Sequence, residues 1–343
     1  MKRLIVLGLS LSTLFFCFSC TKKEVSQFEF EIANIQATSL LGEPLTVPNR
    51  SPESTAKLVA NLESAQEAFD SDPSEMNTIW LGRRYAYLSG YEEAVGIFSE
   101  GLKKFPKSYK LYRHRGHRNI SLRQFDKAIA DYEMAYELMP KDTLEIEPDG
   151  APNKLNIPLS NTQFNVLYHY GLAHYLKGEY EKAEGIYREL IDNYCDNLDL
   201  YIATADWLYM TLRRQNKNNE AAIVLKNTIT DWRVLSTADE LLDIANAKMI
   251  EKILGYKTQV VENDSYLKRL RFYNGEIESE ILMKSNGDDF TLSLATQGYG
   301  MGNWYLYQGD TAKANEIFQK VVEGTSWAAF GYIASEADFA RLR

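Results

Sequence analysis

The amino-acid sequence predicts an all-α solenoid, and three regular spacings support this prediction. Three glycines each lie 12 positions before an alanine, in the pairs Gly82 and Ala94, Gly116 and Ala128, and Gly171 and Ala183. Each alanine is followed four positions later by an aromatic residue, namely Phe98, Tyr132 and Tyr187. The first two sets are offset by 34 residues, and so are Pro106 and Pro140. Such a period is typical of stacked helix–turn–helix units, in which small residues let two antiparallel helices cross closely.

The register of the first unit places the elements of the others. In the unit 75–108, helix A is predicted over about 76–88 and helix B over about 91–104. Pro106 ends helix B, because proline cannot continue a helix. The same register gives units at 109–142, 164–197 and 198–235, with residues 143–163 inserted before the third unit. Residues 54–69 are amphipathic and are expected to cap the first unit, so the solenoid is predicted to span residues 53–235.

Residues 236–343 are predicted to form a C-terminal helical region. Gly302, Ala314 and Phe318 keep the spacings of 12 and 4, which predicts a further repeat over about 295–328 and a capping helix after it. Residues 236–294 keep no clear register, and irregular helices are expected there, for example at 238–253, 262–273 and 276–284. The glycines of the run 298–302 are attributed to a late start of helix A or to close helix approach. A nucleotide-binding loop is rejected, because no strand precedes them.

These motifs resemble the tetratricopeptide repeat, and the match is specific over residues 75–142. The resemblance implies a right-handed α–α superhelix whose helices A line a concave groove. It also implies a non-enzymatic scaffold that binds a protein or peptide in this groove. The segments 80–91, 113–132, 298–310 and 327–341 are similar to those of a group of exported bacterial repeat proteins.

The N-terminus resembles a bacterial lipoprotein signal. Lys2 and Arg3 precede an apolar run that ends before Ser19 and Cys20, so residues 1–19 are expected to be removed and Cys20 lipidated. The resemblance implies a cell-envelope protein held by a lipid anchor, and Thr21 after the cysteine implies the outer membrane. Residues 20–52, which contain three prolines, are expected to be a tether. The alternatives are a plain secretory signal and an uncleaved anchor.

Composition argues against several kinds of binding site. The formal net charge of −9 argues against general nucleic-acid binding. Cys195 is the only cysteine outside the signal, so a buried thiol is expected instead of a disulfide. His114 and His117 share a helix face but are surrounded by arginines, which repel a cation, so no metal site is expected. No cofactor is expected either.

Helical spacing predicts which side chains face the groove, because positions 2, 5, 9, 12 and 13 of each helix A lie on one stripe. The candidate partner-binding residues on that stripe are Arg83, Tyr87, Lys110, Arg113, His117, Tyr168, Tyr175, Asp206 and Tyr209. Guanidinium groups suit an anionic group of a ligand, and tyrosines suit an extended peptide. The alternative is that the arginines pair with acidic residues of neighbouring repeats.

Three functional hypotheses remain from the sequence. The first is the interaction scaffold described above. The second is a small-ligand-binding or enzymatic protein with a site between the solenoid and residues 236–294, where the carboxylates of Glu276, Glu278, Glu280, Asp288 and Asp289 lie. The third is a structural subunit of an envelope assembly. For the insertion 143–163, one interpretation is a segment that folds over the groove edge, and the other is an inert spacer.

Overall fold

The computed structural model describes residues 30–148, 158–241, 264–284 and 290–343, and for residues 231–241 and 290 it describes the backbone alone. The signal, Cys20 and the segments 149–157, 242–263 and 285–289 lie outside the described residues. Residues Ile32–Arg343 form one compact unit.

The described residues fold almost entirely into α-helices. The elements are β1 (Ile35–Thr38), β2 (Pro44–Thr46), α1 (Pro52–Ser71), α2 (Glu75–Tyr87), α3 (Tyr91–Lys104), α4 (Tyr109–Ser121), α5 (Phe125–Leu138), α6 (Thr162–Lys177), α7 (Tyr180–Asn193), α8 (Leu198–Arg214), α9 (Asn218–Leu241), α10 (Asp264–Tyr273), α11 (Ser279–Leu282), α12 (Phe290–Tyr307), α13 (Thr311–Val322) and α14 (Phe330–Leu342). Pairs α2–α3, α4–α5, α6–α7, α8–α9 and α12–α13 are the helix hairpins. The predicted all-α solenoid of helix hairpins is therefore confirmed.

The spaced glycines are the points where the two helices of a hairpin touch. A Cβ atom added to Gly171 would lie 2.7 Å from Cε1 of Tyr187, and one added to Gly302 would lie 2.6 Å from Cε1 of Phe318. Gly82 faces Phe98 and Gly116 faces Tyr132 in the same way. The four alanines of the motif are fully buried: Ala94, Ala128, Ala183 and Ala314.

Short polar side chains cap the N-terminus of α1 and of each helix A in the first four hairpins. Each cap accepts a hydrogen bond from the backbone N–H three residues later, which satisfies a donor that the helix leaves free. The caps are Ser51, Ser74, Ser108, Asn161 and Asn197. This chemistry fixes where each helix A begins and therefore which face of it meets the concave side.

The sequence interpretation of the fifth hairpin needs one correction. In the fourth hairpin, α8 continues to Arg214 and the turn before α9 is residues 215–217. Helix α12 does not start late, since it begins at Phe290 and contains the whole glycine run. Close helix approach explains these glycines instead, because a Cβ on Gly300 would lie 2.5 Å from Cδ of Arg269.

Residues 35–46, which the sequence assigns to the tether, form a β-hairpin that packs on the solenoid. Strands β1 and β2 are antiparallel, and Gly42 in their turn has a positive φ of 88°. Gln36 and Leu45 are buried, and Oε1 of Gln36 accepts hydrogen bonds from the N–H groups of Tyr91 and Glu92 (2.7 and 3.0 Å). Helix α3 has no side-chain cap of its own, so this glutamine serves as one.

The C-terminal helices turn back into the solenoid and contact its first hairpins. The Arg123 guanidinium pairs with Glu336 of α14 at 2.5 Å and also donates to the carbonyl of Trp327 at 2.8 Å. The ring of Trp327 meets the ring of Tyr91 edge to face, with 5.2 Å between centroids. The concave side is thus largely filled by the chain itself. Across the described ranges, no helix combines the length and apolar character that a membrane span requires.

Candidate functional site

Two of the predicted groove cations are neutralised by the inserted segment. Lys110 pairs with Glu145, and Nη2 of Arg113 lies 2.9 Å from Oε1 of Glu147. The side chains of Arg113 and Glu147 are only 8% and 10% exposed, so this pair is closed to a partner. These two cations therefore pair with acidic residues of the chain itself, which is the alternative that the sequence left open. Their partners come from the insertion, however, and not from a neighbouring repeat.

The insertion folds over one edge of the groove. The N–H of Glu147 donates to the carbonyl of Ser160 (3.0 Å), and the N–H of Thr162 donates to the carbonyl of Glu145 (2.7 Å). These backbone bonds hold the two glutamates above α4. The two ends of the insertion, 143–148 and 158–163, therefore cover the groove edge, as one interpretation of this segment states.

Arg83 and Tyr87 stay at the groove entrance. Nη1 of Arg83 donates to the carbonyl of Pro148 (2.9 Å), and Nη2 lies 3.1 Å from the hydroxyl oxygen of Tyr87. The guanidinium also lies over the ring of Trp80, at 4.3 Å from its centroid. No carboxylate of the described residues pairs with Arg83, so its charge is not balanced by a direct ion pair.

The four remaining candidates other than His117 are buried under the C-terminal helices, which corrects the expectation of an open groove. They are Tyr168, Tyr175, Asp206 and Tyr209. Their partners are Tyr266 for Tyr168, Tyr299 for Tyr175, Arg269 for Asp206 and Tyr273 for Tyr209. The physical reason is the large apolar surface of the aromatic side chains, because helices that remove this surface from water stabilise the folded protein.

Between the solenoid and the C-terminal helices lies a cleft made of two adjoining cavities, here named the central cleft. The inner cavity has a volume of about 260 Å³ and the outer one about 150 Å³. The inner cavity is lined by α4, α8, α10, α12, Tyr91 and residues 328–331. The outer cavity is lined by α2, α3, α4 and Glu147. His117 and Arg118 line both cavities, so they form the boundary between them.

Arg118 is the charged group at the middle of the central cleft. Its guanidinium lies 5.2 Å from the ring centroid of Tyr91. Within the described part of the chain it forms no ion pair and no hydrogen bond. Burial lowers the pKa of Arg118 from its ordinary value, with the charge of Arg113 acting in the same direction. An arginine keeps its proton even so, and the cleft therefore holds a positive charge that no carboxylate of the described residues neutralises.

Arg118 is not among the residues that helical spacing predicts to face the groove. The residue lies one position after His117, outside the stripe that helical spacing assigns to the groove. The wall that turns this position into a cavity comes from Arg269, Thr296 and residues 328–331, far along the chain. The one available signal was the basic run 112–118 itself.

Three histidines surround this charge and are neutral near pH 7. The ring of His117 lies 4.4 Å from the ring of His169, centroid to centroid. Nδ1 of His169 lies 2.6 Å from the carbonyl oxygen of Asn165, so Nδ1 carries the proton, because a carbonyl only accepts. Burial and the nearby arginines hold the pKa values of His114, His117 and His169 well below their ordinary range. None of the three therefore adds a positive charge to the central cleft near pH 7.

Other groups with chemical potential are not assembled into a site. Burial raises the pKa of the Cys195 thiol to about 12, and its Sγ contacts Thr204 Oγ1 at 3.4 Å. Glu276 accepts hydrogen bonds from Arg271 and Asn274. Glu278 and Glu280 are exposed and do not line the central cleft. Asp288 and Asp289 lie outside the described residues. Where the chain is described, no three His, Cys, Asp or Glu side chains form a group suited to a metal.

Comparison with protein families agrees with this architecture. Residues 165–194 and 298–323 match the model of the tetratricopeptide repeat family. These segments are α6–α7 and α12–α13, which contain the contacts of Gly171 with Tyr187 and of Gly302 with Phe318. The fold is a tetratricopeptide-type solenoid, which suggests a protein–protein interaction scaffold. A comparison with curated sequences finds no match.

Solved structures with a similar course of the chain have low sequence identity. A tetratricopeptide repeat protein called YrrB, described as having an unusual peptide-binding site, is 12% identical, with a TM-score of 0.38 over 76% of this chain and 92% of its own. The MamA protein is 15% identical, with a TM-score of 0.41 over 56% and 91%. A tetratricopeptide repeat protein from Parabacteroides merdae is 13% identical, with a TM-score of 0.45 over 82% and 94%.

Proposed function

We propose that this protein is a non-enzymatic scaffold of the cell envelope that binds a protein or peptide at the entrance of its groove. The binding surface is the part of the concave side that the C-terminal helices leave free. It consists of Met76, Arg83, Lys110 and Ile146, which line a cavity of about 80 Å³ together with Glu145 and Glu147 and are here named the rim surface.

Exposure of two apolar side chains on the rim surface is the observation that carries this proposal. Met76 is 37% exposed and Ile146 is 62% exposed, although both stand beside charged residues. Apolar side chains next to an arginine are typical of interface centres, where the apolar part supplies area and the guanidinium fixes an anionic group. Arg83, which has no carboxylate partner among the described residues, supplies that charge. The partner is therefore expected to present an acidic group next to an apolar side chain.

The test begins with the partner itself. Mild crosslinking in cells that produce the intact protein, followed by purification and mass spectrometry, identifies proteins at the envelope that are captured reproducibly. Ile146→Asp and Arg83→Glu are then expected to remove the captured partner. Ile223→Asp, on the outer helix α9 and 59% exposed, is the matched control and should leave capture unchanged. Equal capture by all three variants would exclude the rim surface.

The lipid anchor is tested separately. We propose that Cys20 carries it, because the apolar run and the preceding Ser19 favour lipidation at this position. Cells fed an alkyne-labelled fatty acid should label the wild-type protein and the Cys17→Ser variant. The Cys20→Ser variant should lose the label and leave the membrane fraction. A labelled Cys20→Ser protein would show that the anchor lies elsewhere.

A further inference from the structure

Counted over the residues that the structure describes, the walls of the inner cavity carry more positive than negative charge. Arg269, one of its walls, is balanced by Asp206, with Nε of the arginine 3.0 Å from Oδ1 of the aspartate. Arg113 nearby is balanced by Glu147. Arg118 has no such acid in the described part of the chain. An anion bound here would therefore be stabilised by a positive charge that the fold already provides and that no described acid balances.

A helix terminus adds to this potential. Residues 328–331, which line the inner cavity, lead into the first turn of α14. The cap position, Ala329, provides no side-chain hydrogen bond, and the first turn contains no acidic residue. The first N–H groups of a helix have no partner within it and carry a partial positive charge. Arg118 and this helix start therefore face the same space, with the same sign.

The position of that helix start is fixed by close packing. Gly331 lies against the carbonyl of Ala295 in α12, so closely that any Cβ atom would overlap with it. The ring of Phe330 packs on His117 and His169, at 5.3 and 5.2 Å between centroids. The N–H groups at the start of α14 are therefore held at a set distance from helix α4, which is the condition for a preformed anion site.

The remaining walls are aromatic. Tyr91, Trp207, Tyr266 and Phe330 line the same cavity. Neutral His117 offers a ring edge and no charge. A site of about 260 Å³ that is lined by several helices and partly open to solvent is too small for a folded segment but accommodates a small organic molecule.

We propose that the inner cavity binds a small organic oxyanion with an aromatic or apolar body. Arg118 and the start of α14 hold the oxyanion, and the rings of Tyr91, Trp207 and Phe330 contact the body. This site is separate from the rim surface, so it does not depend on the proposed protein partner.

The test uses the full mature chain purified in mild detergent. The probes are benzoate and phenyl phosphate, which distinguish a carboxylate from a phosphate, and benzyl alcohol as their neutral analogue. Thermal unfolding and tryptophan fluorescence report binding, since Trp207 is in the cavity wall. At least one anionic probe should raise the unfolding temperature and change the fluorescence, whereas benzyl alcohol should do neither at the same concentration.

Matched variants assign the effect to the site. Arg118→Met should weaken binding of the anionic probe by about tenfold or more, the loss expected for a charged hydrogen-bonding group. Arg84→Met, on α2 and outside both cavities, should bind as the wild type does. If Arg118→Met does not fold, Arg118→Lys keeps the charge and should retain weaker binding. The proposal is overturned if neither anion is preferred to benzyl alcohol, or if the folded Arg118 variant binds as tightly as the wild type.

Discussion

Single glycines decide whether the two helices of a hairpin can make contact. Tyr187, fully buried, fills the space that the missing side chain of Gly171 leaves on α6. Gly185 on α7 lies next to open space instead, because a Cβ atom added there would have no atom within 4 Å. The two residues lie in the same hairpin but have opposite surroundings.

We expect opposite effects when each of these glycines is replaced by alanine. Gly171→Ala should lower the free energy of unfolding by about 1–3 kcal/mol, because the added methyl group forces the Tyr187 ring out of its place. Gly185→Ala should raise it by about 0.5–1 kcal/mol, because glycine is unfavourable inside a helix. Urea unfolding followed by circular dichroism measures both. A shift of the same sign in both variants would contradict the packing role of Gly171.

Residue contacts inside one hairpin could be predicted from sequence, whereas contacts between distant segments could not. Each motif glycine and its aromatic partner are separated by a fixed spacing, so the pattern reports the contact directly. The stripe also placed Arg83 and Lys110 on one face, because helix geometry alone sets their direction, and both side chains line the cavity of the rim surface. The acids that neutralise Lys110 and Arg113 come from an insertion without periodicity, and no pattern could pair them.

At the scale of elements, the N-terminal hairpin acts as the missing cap of α3. Oε1 of Gln36 accepts from two N–H groups at the start of that helix, and Nε2 of Gln36 donates to the carbonyl of Ala33 at 2.7 Å. Because Gln36 is only 2% exposed, water does not replace these bonds easily. The segment 35–46 is thereby part of the folded unit.

Removal of this cap should destabilise the protein and loosen the start of α3. Gln36→Met keeps the approximate volume but leaves the N–H groups of Tyr91 and Glu92 without an acceptor, which costs about 1–3 kcal/mol. Amide hydrogen exchange should become faster at the first turn of α3. Ile35→Gln, at a neighbouring position that is 59% exposed, is the control and should change neither quantity. Unchanged exchange in Gln36→Met would mean that α3 does not depend on the hairpin.

Helices were more predictable than the hairpin because their signals are local. The Ser and Asn caps, the proline after helix B and the apolar periodicity all lie within the element that they define. The hairpin is stabilised by distant partners instead, such as the bond from Nε1 of Trp327 to the carbonyl of Thr46 at 2.6 Å. Its residues alone resemble a linker rich in proline.

At the scale of the whole molecule, the solenoid closes on its own C-terminal helices. This closure buries the aromatic stripe of the third and fourth hairpins and leaves the rim surface and the central cleft as the accessible parts of the groove. It also brings three histidines and Arg118 together at the central cleft. The consequence is a dependence of stability on pH that belongs to the closed molecule and not to any single repeat.

We expect the free energy of unfolding to fall as the pH is lowered from 7 toward 5.5. Burial lowers the pKa values of His114, His117 and His169 in the folded state. The positive charges of Arg83, Arg113 and Arg118 also oppose protonation of these histidines. Glu147, near His114, favours protonation. The unfolded chain therefore binds more protons below about pH 6.5. Stability is complete above that pH and is lost as the pH falls toward the folded-state values.

The size of this effect can be assigned to individual histidines. Each one contributes at most about 1.4 kcal/mol per pH unit within this window. Urea unfolding of the wild type and of His117→Gln at several pH values measures the slopes. The variant should show a smaller slope, because glutamine cannot take up the proton, and Gln66→Ala on the exposed face of α1 should keep the wild-type slope. Parallel curves for wild type and His117→Gln would show that closure does not hold His117 in its neutral form.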